Sequence, residues 1–179
     1  MTSPLIQLES FLPYRLSVLA NVTSSAIAAA YEKRFGLTIP EWRVIAVLMR
    51  HPGLSAREVA AKSRMDAVAV SRAVNRLLRA GRLRREVATD DRRRSILQVS
   101  AAGAAVYRGV APLALEFERS LLDTLTSADR AALDRLLGAL TLRAESLSVD
   151  LRAPKKVARG AKARQPQTPR RATRREPAR

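Results

Sequence analysis

The chain has 179 residues, with 33 lysines and arginines against 16 acidic residues, so its formal net charge at pH 7 is +17. Apolar residues make up 47% of the chain, a share typical of a globular protein, which excludes a chain that is disordered throughout. The absence of cysteine excludes disulfide bonds, thiolate metal sites and cysteine nucleophiles. The excess of positive charge favours an anionic partner, such as nucleic acid or a membrane surface.

The sequence offers little for catalysis. Its single histidine, His51, leaves no histidine cluster for a metal, and no glycine-rich phosphate loop or Ser–His–Asp set is present. We therefore expect no enzyme, no metal and no cofactor. No apolar run approaches the roughly 20 residues that span a bilayer, and residues 1–10 lack the basic start of a secretory signal. These features predict a cytoplasmic protein without membrane contact.

The positive charge is distributed unevenly along the chain. Residues 152–179 carry 11 basic residues and one acid, hence +10, which leaves +7 for the rest. This tail has four prolines and a single valine as its only large apolar residue, so it cannot bury enough apolar surface to offset the entropy of ordering. We expect it to be disordered. It is either a solubilising or targeting tail, or an arm that binds phosphates without sequence preference.

Apolar periodicity predicts three helices in the first third of the chain. Gly36 ends the first helix and Pro40 opens the second, as suits a first-turn residue. Ser55 and Glu58 form a capping box at the start of the short third helix. The predicted bounds are about residues 11–35, 40–50 and 55–63.

The fourth helix, from about Asp66 to just before Gly81, has two different faces. At 100° per residue, Val70, Val74 and Leu77 fall on one compact apolar stripe. The opposite side carries Arg72, Asn75, Arg76 and Arg79. A solvated basic face is the ordinary explanation of this pattern, but arginine and asparagine are also the side chains that read guanine and adenine in a major groove.

The second half of the chain predicts a β-hairpin and two more helices. Two short apolar segments flank the charged connector at residues 89–94, which is typical of a hairpin. Ser100 caps a fifth helix, which Pro112 should kink or break in two, and the sixth starts near Thr126 and carries a leucine seam. The terminal helices hold more apolar surface than so small a unit can cover. This surplus predicts a dimer interface, with coiled packing inside one subunit as the alternative.

Four segments together resemble the MarR family of transcriptional regulators, over about Leu12 to Leu147. They are Leu37-Thr38 followed by Trp42, the run Ser55-Ala56-Arg57-Glu58-Val59-Ala60, the run Val70-Ser71-Arg72-Ala73-Val74 with Leu77 and Gly81, and Asp91-Arg92-Arg93 followed by Val99-Ser100-Ala101-Ala102-Gly103. The chain has Val99-Ser100 where the family usually has Leu-Thr. This change preserves burial and capping.

The resemblance implies a mainly α fold with a small β-wing, in which dimerisation helices flank a winged helix-turn-helix domain. Residues 1–36 would form the N-terminal dimerisation helix, 37–100 the DNA-binding domain and 101–151 the C-terminal dimerisation helices, followed by the basic tail 152–179. The implied function is a sequence-specific DNA-binding regulator, a ligand-responsive repressor that binds a pseudo-palindromic operator as a homodimer. The alternative is an architectural nucleoid protein that coats DNA with little sequence preference, for which the tail alone would suffice.

The resemblance also implies particular DNA contacts. Those of the recognition helix are Ser71, Arg72, Asn75 and Arg76. Arg93 matches the wing-tip arginine that the family inserts into the minor groove, with Asp91 as its orienting partner, and an arginine on a thin hairpin suits a narrow A·T-rich groove. Four further residues either contact phosphates or are solvated surface residues: Ser55, Arg57, Lys62 and Arg64.

Members of the family commonly respond to small anionic or aromatic ligands, bound between the dimerisation helices and the winged domain. The matching walls would come from Tyr14, Arg15, Leu19, Trp42 and Ile45. Trp42 has an alternative role as a core residue of the second helix. Because the chain has no cysteine, the thiol-oxidation mechanism of the family is excluded.

Overall fold

The computed structural model describes residues 5–87 and 95–152, and side chains up to residue 147. Over this part of the chain, six helices and one two-stranded sheet confirm the mainly α fold with a small β-wing. None of the described helices is long and apolar enough to cross a membrane. The elements are α1 (Leu12–Phe35), α2 (Ile39–Arg50), α3 (Ala56–Ser63), α4 (Ala67–Arg79), β1 (Leu83–Val87), β2 (Ser95–Val99), α5 (Ala101–Leu122) and α6 (Ser127–Arg152).

Local capping interactions explain where the helices start. The Ser55 hydroxyl accepts a hydrogen bond from the amide of Glu58 (3.3 Å), whose carboxylate accepts one from the amide of Ser55 (2.7 Å). The Asp66 carboxylate caps α4 by accepting from the amides of Val68 and Ala69. The predicted starts of α3 and α4 are therefore confirmed, because each depends on groups within three residues of one another.

The hairpin is attached to the turn between α2 and α3. Strands β1 and β2 pair antiparallel, with Leu83 opposite Val99. The amide of Leu97 donates to the carbonyl of Leu54 (2.9 Å), and Leu97 is buried. The base of the wing is thereby joined to the helical core, whereas its tip, residues 88–94, lies outside the described residues.

The core lies beneath α4. The inner face of this helix buries Val70, Val74 and Leu77 against a cluster drawn from every helix of the first 126 residues and from both strands. The other members of the cluster are Ala28, Tyr31, Leu37, Val44, Ile45, Leu48, Val59, Ala60, Ala73, Leu83, Leu97, Val106 and Val110. The burial of this stripe holds α4 in place and leaves its opposite face free.

The turn after α4 is bonded to both neighbouring helices. The Arg82 guanidinium donates to the carbonyl of Phe35 at the end of α1 (2.6 Å), and the Ser100 hydroxyl donates to the carbonyl of Gly81 (2.6 Å). In α5, Gly103 lies so close to the Arg82 carbonyl that a Cβ atom there would collide with it. This junction connects α1, the wing and α5.

Of the two outcomes predicted at Pro112, a kink or a break of the fifth helix, the break is wrong. Helix α5 runs without interruption from Ala101 to Leu122 with Pro112 inside it. Proline removes one backbone donor, but Val106 and Val110 bury their side chains just before it. Tertiary packing therefore outweighs the loss of a single hydrogen bond.

The chain divides into two compact units, residues 1–126 and 127–179. In the first unit, the N-terminal half of α1 exposes its large apolar side chains: Leu12, Tyr14, Leu16, Val18, Leu19 and Val22. The second unit, taken by itself, contains α6, along which the predicted seam of Leu133, Leu136, Leu137, Leu140 and Leu147 is exposed. Its remaining residues, which include nearly all of the basic tail, lie outside the described residues.

Candidate nucleic-acid interface

The outer face of α4 presents three side chains that are free to contact a partner. Ser71, Arg72 and Asn75 are exposed, and within the described residues their side chains make no hydrogen bond or ion pair. They lie within five positions of one another, so they occupy about 6 Å of helix length. This face combines a cation with a donor–acceptor amide, as recognition of base edges requires.

Arg76, the fourth predicted contact of α4, lies in a different environment. Its Nε atom is 3.3 Å from Oε1 of Glu41, the third residue of α2. The Arg76 side chain is 58% exposed, whereas that of Glu41 is only 6% exposed. The ion pair therefore joins a buried carboxylate to the edge of the recognition surface.

Glu41 also caps its own helix. Its Oε2 atom accepts hydrogen bonds from the amide of Thr38 (2.7 Å) and from the Thr38 hydroxyl (2.8 Å). Sequence reasoning missed this site, although Thr38-x-x-Glu41 has the spacing of a capping box and could have revealed it. The partner Arg76, 35 residues further along the chain, has no such local signal.

The predicted phosphate contacts of α3 are not equivalent. The Ser55 hydroxyl is occupied by the capping box, while Arg57 is exposed in the first turn, where the positive end of the helix dipole adds to its charge. Lys62 is near the other end of α3, beside a cavity of about 310 Å³ that Arg50 and His51 also line. Arg64 is exposed in the turn before α4 with a left-handed backbone.

The wing contributes further cations that sequence reasoning did not single out. Arg84 and Arg85 are exposed on β1. Asp91 and Arg93, the predicted minor-groove pair, lie outside the described residues. Their role stays a prediction from sequence.

An aromatic cluster occupies the region where the winged domain meets α1 and α5. The Trp42 ring stacks on Tyr107 with centroids 5.6 Å apart and tilts against Tyr31 at 5.9 Å. Burial raises the pKa of the Tyr31 hydroxyl, and the nearby Arg43 cation partly offsets this effect. Trp42 is half-buried against the core, in agreement with its alternative role as a core residue.

Within one chain, the predicted ligand residues do not form one site. Tyr14 precedes Tyr31 by 17 positions on α1, or about 25 Å along the helix axis. Because Trp42 packs against Tyr31, Tyr14 and Arg15 are far from it, and they line a separate groove of about 360 Å³ with Leu19. Only a second copy of the chain could bring them near Trp42. A cavity of about 360 Å³ between α1 and α2 is lined by Ser25, Ala28, Glu32, Leu37, Thr38, Ile39 and Pro40.

Comparison with known proteins shows which family this chain resembles. Residues 35–94, from the end of α1 to the tip of the wing, match the sequence profile of the MarR family. A MarR/EmrR-family transcriptional regulator from Acinetobacter sp. ADP1 is 26% identical with a TM-score of 0.73, over 79% of this chain and 99% of that one. The chain therefore resembles MarR-family transcriptional regulators, both in the sequence of residues 35–94 and in its fold. No curated protein sequence matches it.

Two other solved MarR-like structures share the fold at lower identity. The PcaV transcriptional regulator from Streptomyces coelicolor, solved with its natural ligand, is 22% identical with a TM-score of 0.67, covering 79% of this chain and 99% of that one. BpsR from Bordetella bronchiseptica, whose DNA binding is regulated by 6-hydroxynicotinic acid, is 19% identical with a TM-score of 0.68, covering 78% and 98%. The similarity to these regulators supports DNA-binding transcription regulation as the function of this chain.

Proposed function

We propose that this protein is a ligand-responsive repressor that binds a pseudo-palindromic operator as a homodimer. The observation that carries the proposal is the free outer face of α4, where Ser71, Arg72 and Asn75 are exposed opposite the buried stripe. Two copies related by a twofold axis would place two such helices in successive major grooves. The regulator would then read both half-sites.

Arg72 and Asn75 are the residues to which we assign base reading. Arginine binds guanine and asparagine binds adenine through paired hydrogen bonds. Arg57 would contact phosphate, supported by the positive N-terminal end of α3. From the sequence alone, Arg93 with Asp91 would enter the minor groove at the wing tip.

The decisive experiment measures two affinities at fixed salt. One probe is a duplex of about 24 bp that the wild-type protein selects from a randomised library, and the other is a random duplex of the same length. Arg72→Ala and Asn75→Ala should each cost about 1–3 kcal/mol on the selected duplex and little on the random one. The control Arg57→Ala should weaken both probes by a similar factor.

Equal weakening of both probes by Arg72→Ala would mean that α4 contacts only phosphate. A wild-type preference below about tenfold for the selected duplex would favour the architectural function instead. Arg93→Ala should weaken binding most where the wing meets an A·T-rich segment. Unchanged affinity on such sequences would remove its minor-groove role.

The exposed apolar surfaces support the homodimer. A contiguous apolar surface on a folded chain marks an interaction site, and both the first half of α1 and the seam of α6 expose leucines. A second copy of the chain would cover such surfaces through a twofold interface. We expect a dimer in sedimentation experiments.

We assign effector binding to the aromatic cluster and its neighbouring cation. The charge of Arg43 acts on Tyr31, and its side chain donates a hydrogen bond to the Ser24 hydroxyl (3.1 Å). A cation next to aromatic rings suits a small aromatic or anionic ligand. Tyr14 and Arg15 of a second copy would complete the walls. PcaV, solved with its natural ligand, and BpsR, whose DNA binding is regulated by 6-hydroxynicotinic acid, have the same fold.

The single tryptophan offers a direct test of effector binding. Benzoate or 6-hydroxynicotinic acid should quench the emission of Trp42 saturably and weaken binding to the selected duplex. Arg43→Gln should weaken the quenching several-fold, because it removes the cation that faces the carboxylate. Emission unchanged up to about 10 mM of either acid would contradict this site.

The basic tail would act as a nonspecific arm. Deleting residues 153–179 removes 10 basic residues, so the salt dependence of binding to the random duplex should become several units less steep on a log–log plot. The preference for the selected duplex should stay the same. An unchanged salt dependence would leave the tail with a solubilising or targeting role.

A further inference from the structure

We infer that Arg76 is a positioning residue and not a reader of bases: through the buried Glu41 it connects α4 to the start of α2, and so sets the angle at which Arg72 and Asn75 meet DNA. The inference rests on the proposed function, since it concerns the same recognition surface. It replaces the sequence-based role of Arg76 as a base contact.

The carboxylate of Glu41 is held from two sides. Its Oε2 atom accepts from the Thr38 amide and hydroxyl, and its Oε1 atom pairs with Arg76 at 3.3 Å. Within the described residues, Arg76 is the only cation within 4 Å of the Glu41 carboxylate. Glu41 as a whole residue, backbone included, is 4% exposed. A carboxylate buried in this way requires both a counter-charge and hydrogen bonds, so the direction of the Arg76 side chain is set by the protein.

The ion pair spans a gap that apolar packing does not fill. The start of α2 and the outer edge of α4 enclose a cavity of about 340 Å³, lined by Thr38, Pro40, Ala69, Arg72, Ala73 and Arg76. The buried stripe of α4 holds its opposite edge to the core. The contact between Glu41 and Arg76 therefore joins this edge of α4 to the start of α2, in addition to the apolar packing of the two helices.

Arg76 is well placed to control the reading residues. It follows Arg72 by four positions, so the two side chains are on the same side of α4, one turn apart. Asn75 precedes it directly. A small rotation of α4 on its apolar stripe, which the ion pair opposes, would move both reading side chains relative to the groove.

Removal of the Glu41 charge should change the affinity for DNA in opposite directions, depending on whether electrostatic repulsion or positioning of α4 dominates. A carboxylate near the DNA surface repels phosphates, so Glu41→Gln by itself should strengthen binding to any duplex. Loss of positioning should instead weaken binding to the selected duplex only. Glutamine keeps the size of the side chain and can still accept a hydrogen bond from Thr38, which makes this variant conservative.

The experiment is a double-mutant cycle, read with the selected and the random duplex. Glu41→Gln should weaken binding to the selected duplex about 5- to 20-fold and leave the random duplex unchanged or bound slightly more tightly. When Arg76→Ala is combined with Glu41→Gln, the affinity should fall by less than about a further twofold. Arg72→Ala combined with Glu41→Gln should lower the affinity by the same factor as Arg72→Ala does alone. Circular dichroism at the assay temperature checks that each variant is folded.

Three outcomes separate the possible failures. In the first outcome, Glu41→Gln strengthens binding to both duplexes, and Arg76→Ala lowers the affinity by the same factor whether or not Glu41→Gln is present. Arg76 then contacts DNA independently of Glu41, and the inference is wrong, although the proposed function stands. If the effects of Glu41→Gln and Arg76→Ala on the melting temperature of the free protein add fully, the pair does not couple α2 to α4, which also overturns the inference. A wild-type protein that selects no duplex overturns the proposed function and the inference together.

Discussion

The winged region and the first half of α1 differ in how they treat apolar side chains. In α4, Val70, Val74 and Leu77 are fully buried, and the exposed face is largely polar. In α1, Leu12, Leu16 and Leu19 are exposed although they follow one another at helical spacings of four and three residues. The winged region therefore buries its apolar side chains against its own residues, whereas those of the first half of α1 are buried only if another surface covers them. A periodic apolar pattern predicts a buried face, but it does not say which molecule buries it.

The largest effect should come from charging the exposed face of α1. Leu16→Glu combined with Leu19→Glu would bury two unpaired carboxylates in the proposed dimer interface, which should raise the dimer dissociation constant at least about 100-fold. Analytical ultracentrifugation across a concentration series measures this constant. The polar exchange Asn21→Glu is the matched control. Equal dissociation constants for the double variant and the wild type would mean that α1 is not the interface.

A second comparison sets a buried leucine of the winged region against an exposed leucine of α6. Leu77→Ala leaves a cavity in the core and should cost about 2–5 kcal/mol of unfolding free energy, measured by urea denaturation. Leu140→Ala truncates a side chain on α6 that is 43% exposed in the single chain, and should cost less than about 0.5 kcal/mol if nothing covers it. A loss comparable to that of Leu77→Ala would show that a second copy buries Leu140.

Alanine substitutions at two helical glycines should have intermediate effects on stability, one destabilising and the other stabilising. Gly103 has no room for a Cβ atom because the Arg82 carbonyl is in the way, so Gly103→Ala should destabilise the fold by about 1–3 kcal/mol. Gly138 in α6 has nothing within 4 Å, and Gly138→Ala should stabilise it by up to about 1 kcal/mol through helix propensity. Thermal unfolding measures both. Destabilisation by Gly138→Ala would place a packed surface against that face of α6.

The smallest effect concerns pH. Burial raises the pKa of Tyr31, so above pH 10 the unfolded chain loses its phenolic proton more readily than the folded one. Stability should therefore fall as the pH rises through 10, and Tyr31→Phe should make this fall smaller. Urea denaturation at pH 8 and pH 11 measures the difference. The same decrease in both proteins would mean that Tyr31 does not contribute.

Much of the fold could be predicted because its signals are local. The starts of α3 and α4 depend on Ser55 with Glu58 and on Asp66, all within three residues of the amides that they cap. The two faces of α4 follow from the helical period alone. The same period placed Arg72 and Asn75 on the outer face, where the structure has them exposed, and Ser71, which the family resemblance added, is exposed as well.

The remainder of the site depends on contacts that are distant in sequence. The order of the elements, the capped starts of α3 and α4 and the basic outer face of α4 follow from sequence without tertiary information, because each depends on residues within about one or two turns. The pairing of Arg76 with Glu41, the stacking of Trp42 on Tyr107 and the continuation of α5 through Pro112 are visible only in the folded chain. The same is true of the separation of Tyr14 from Trp42 within one chain. These outcomes depend on which surfaces come together once the apolar stripes are buried, and no local pattern contains that information.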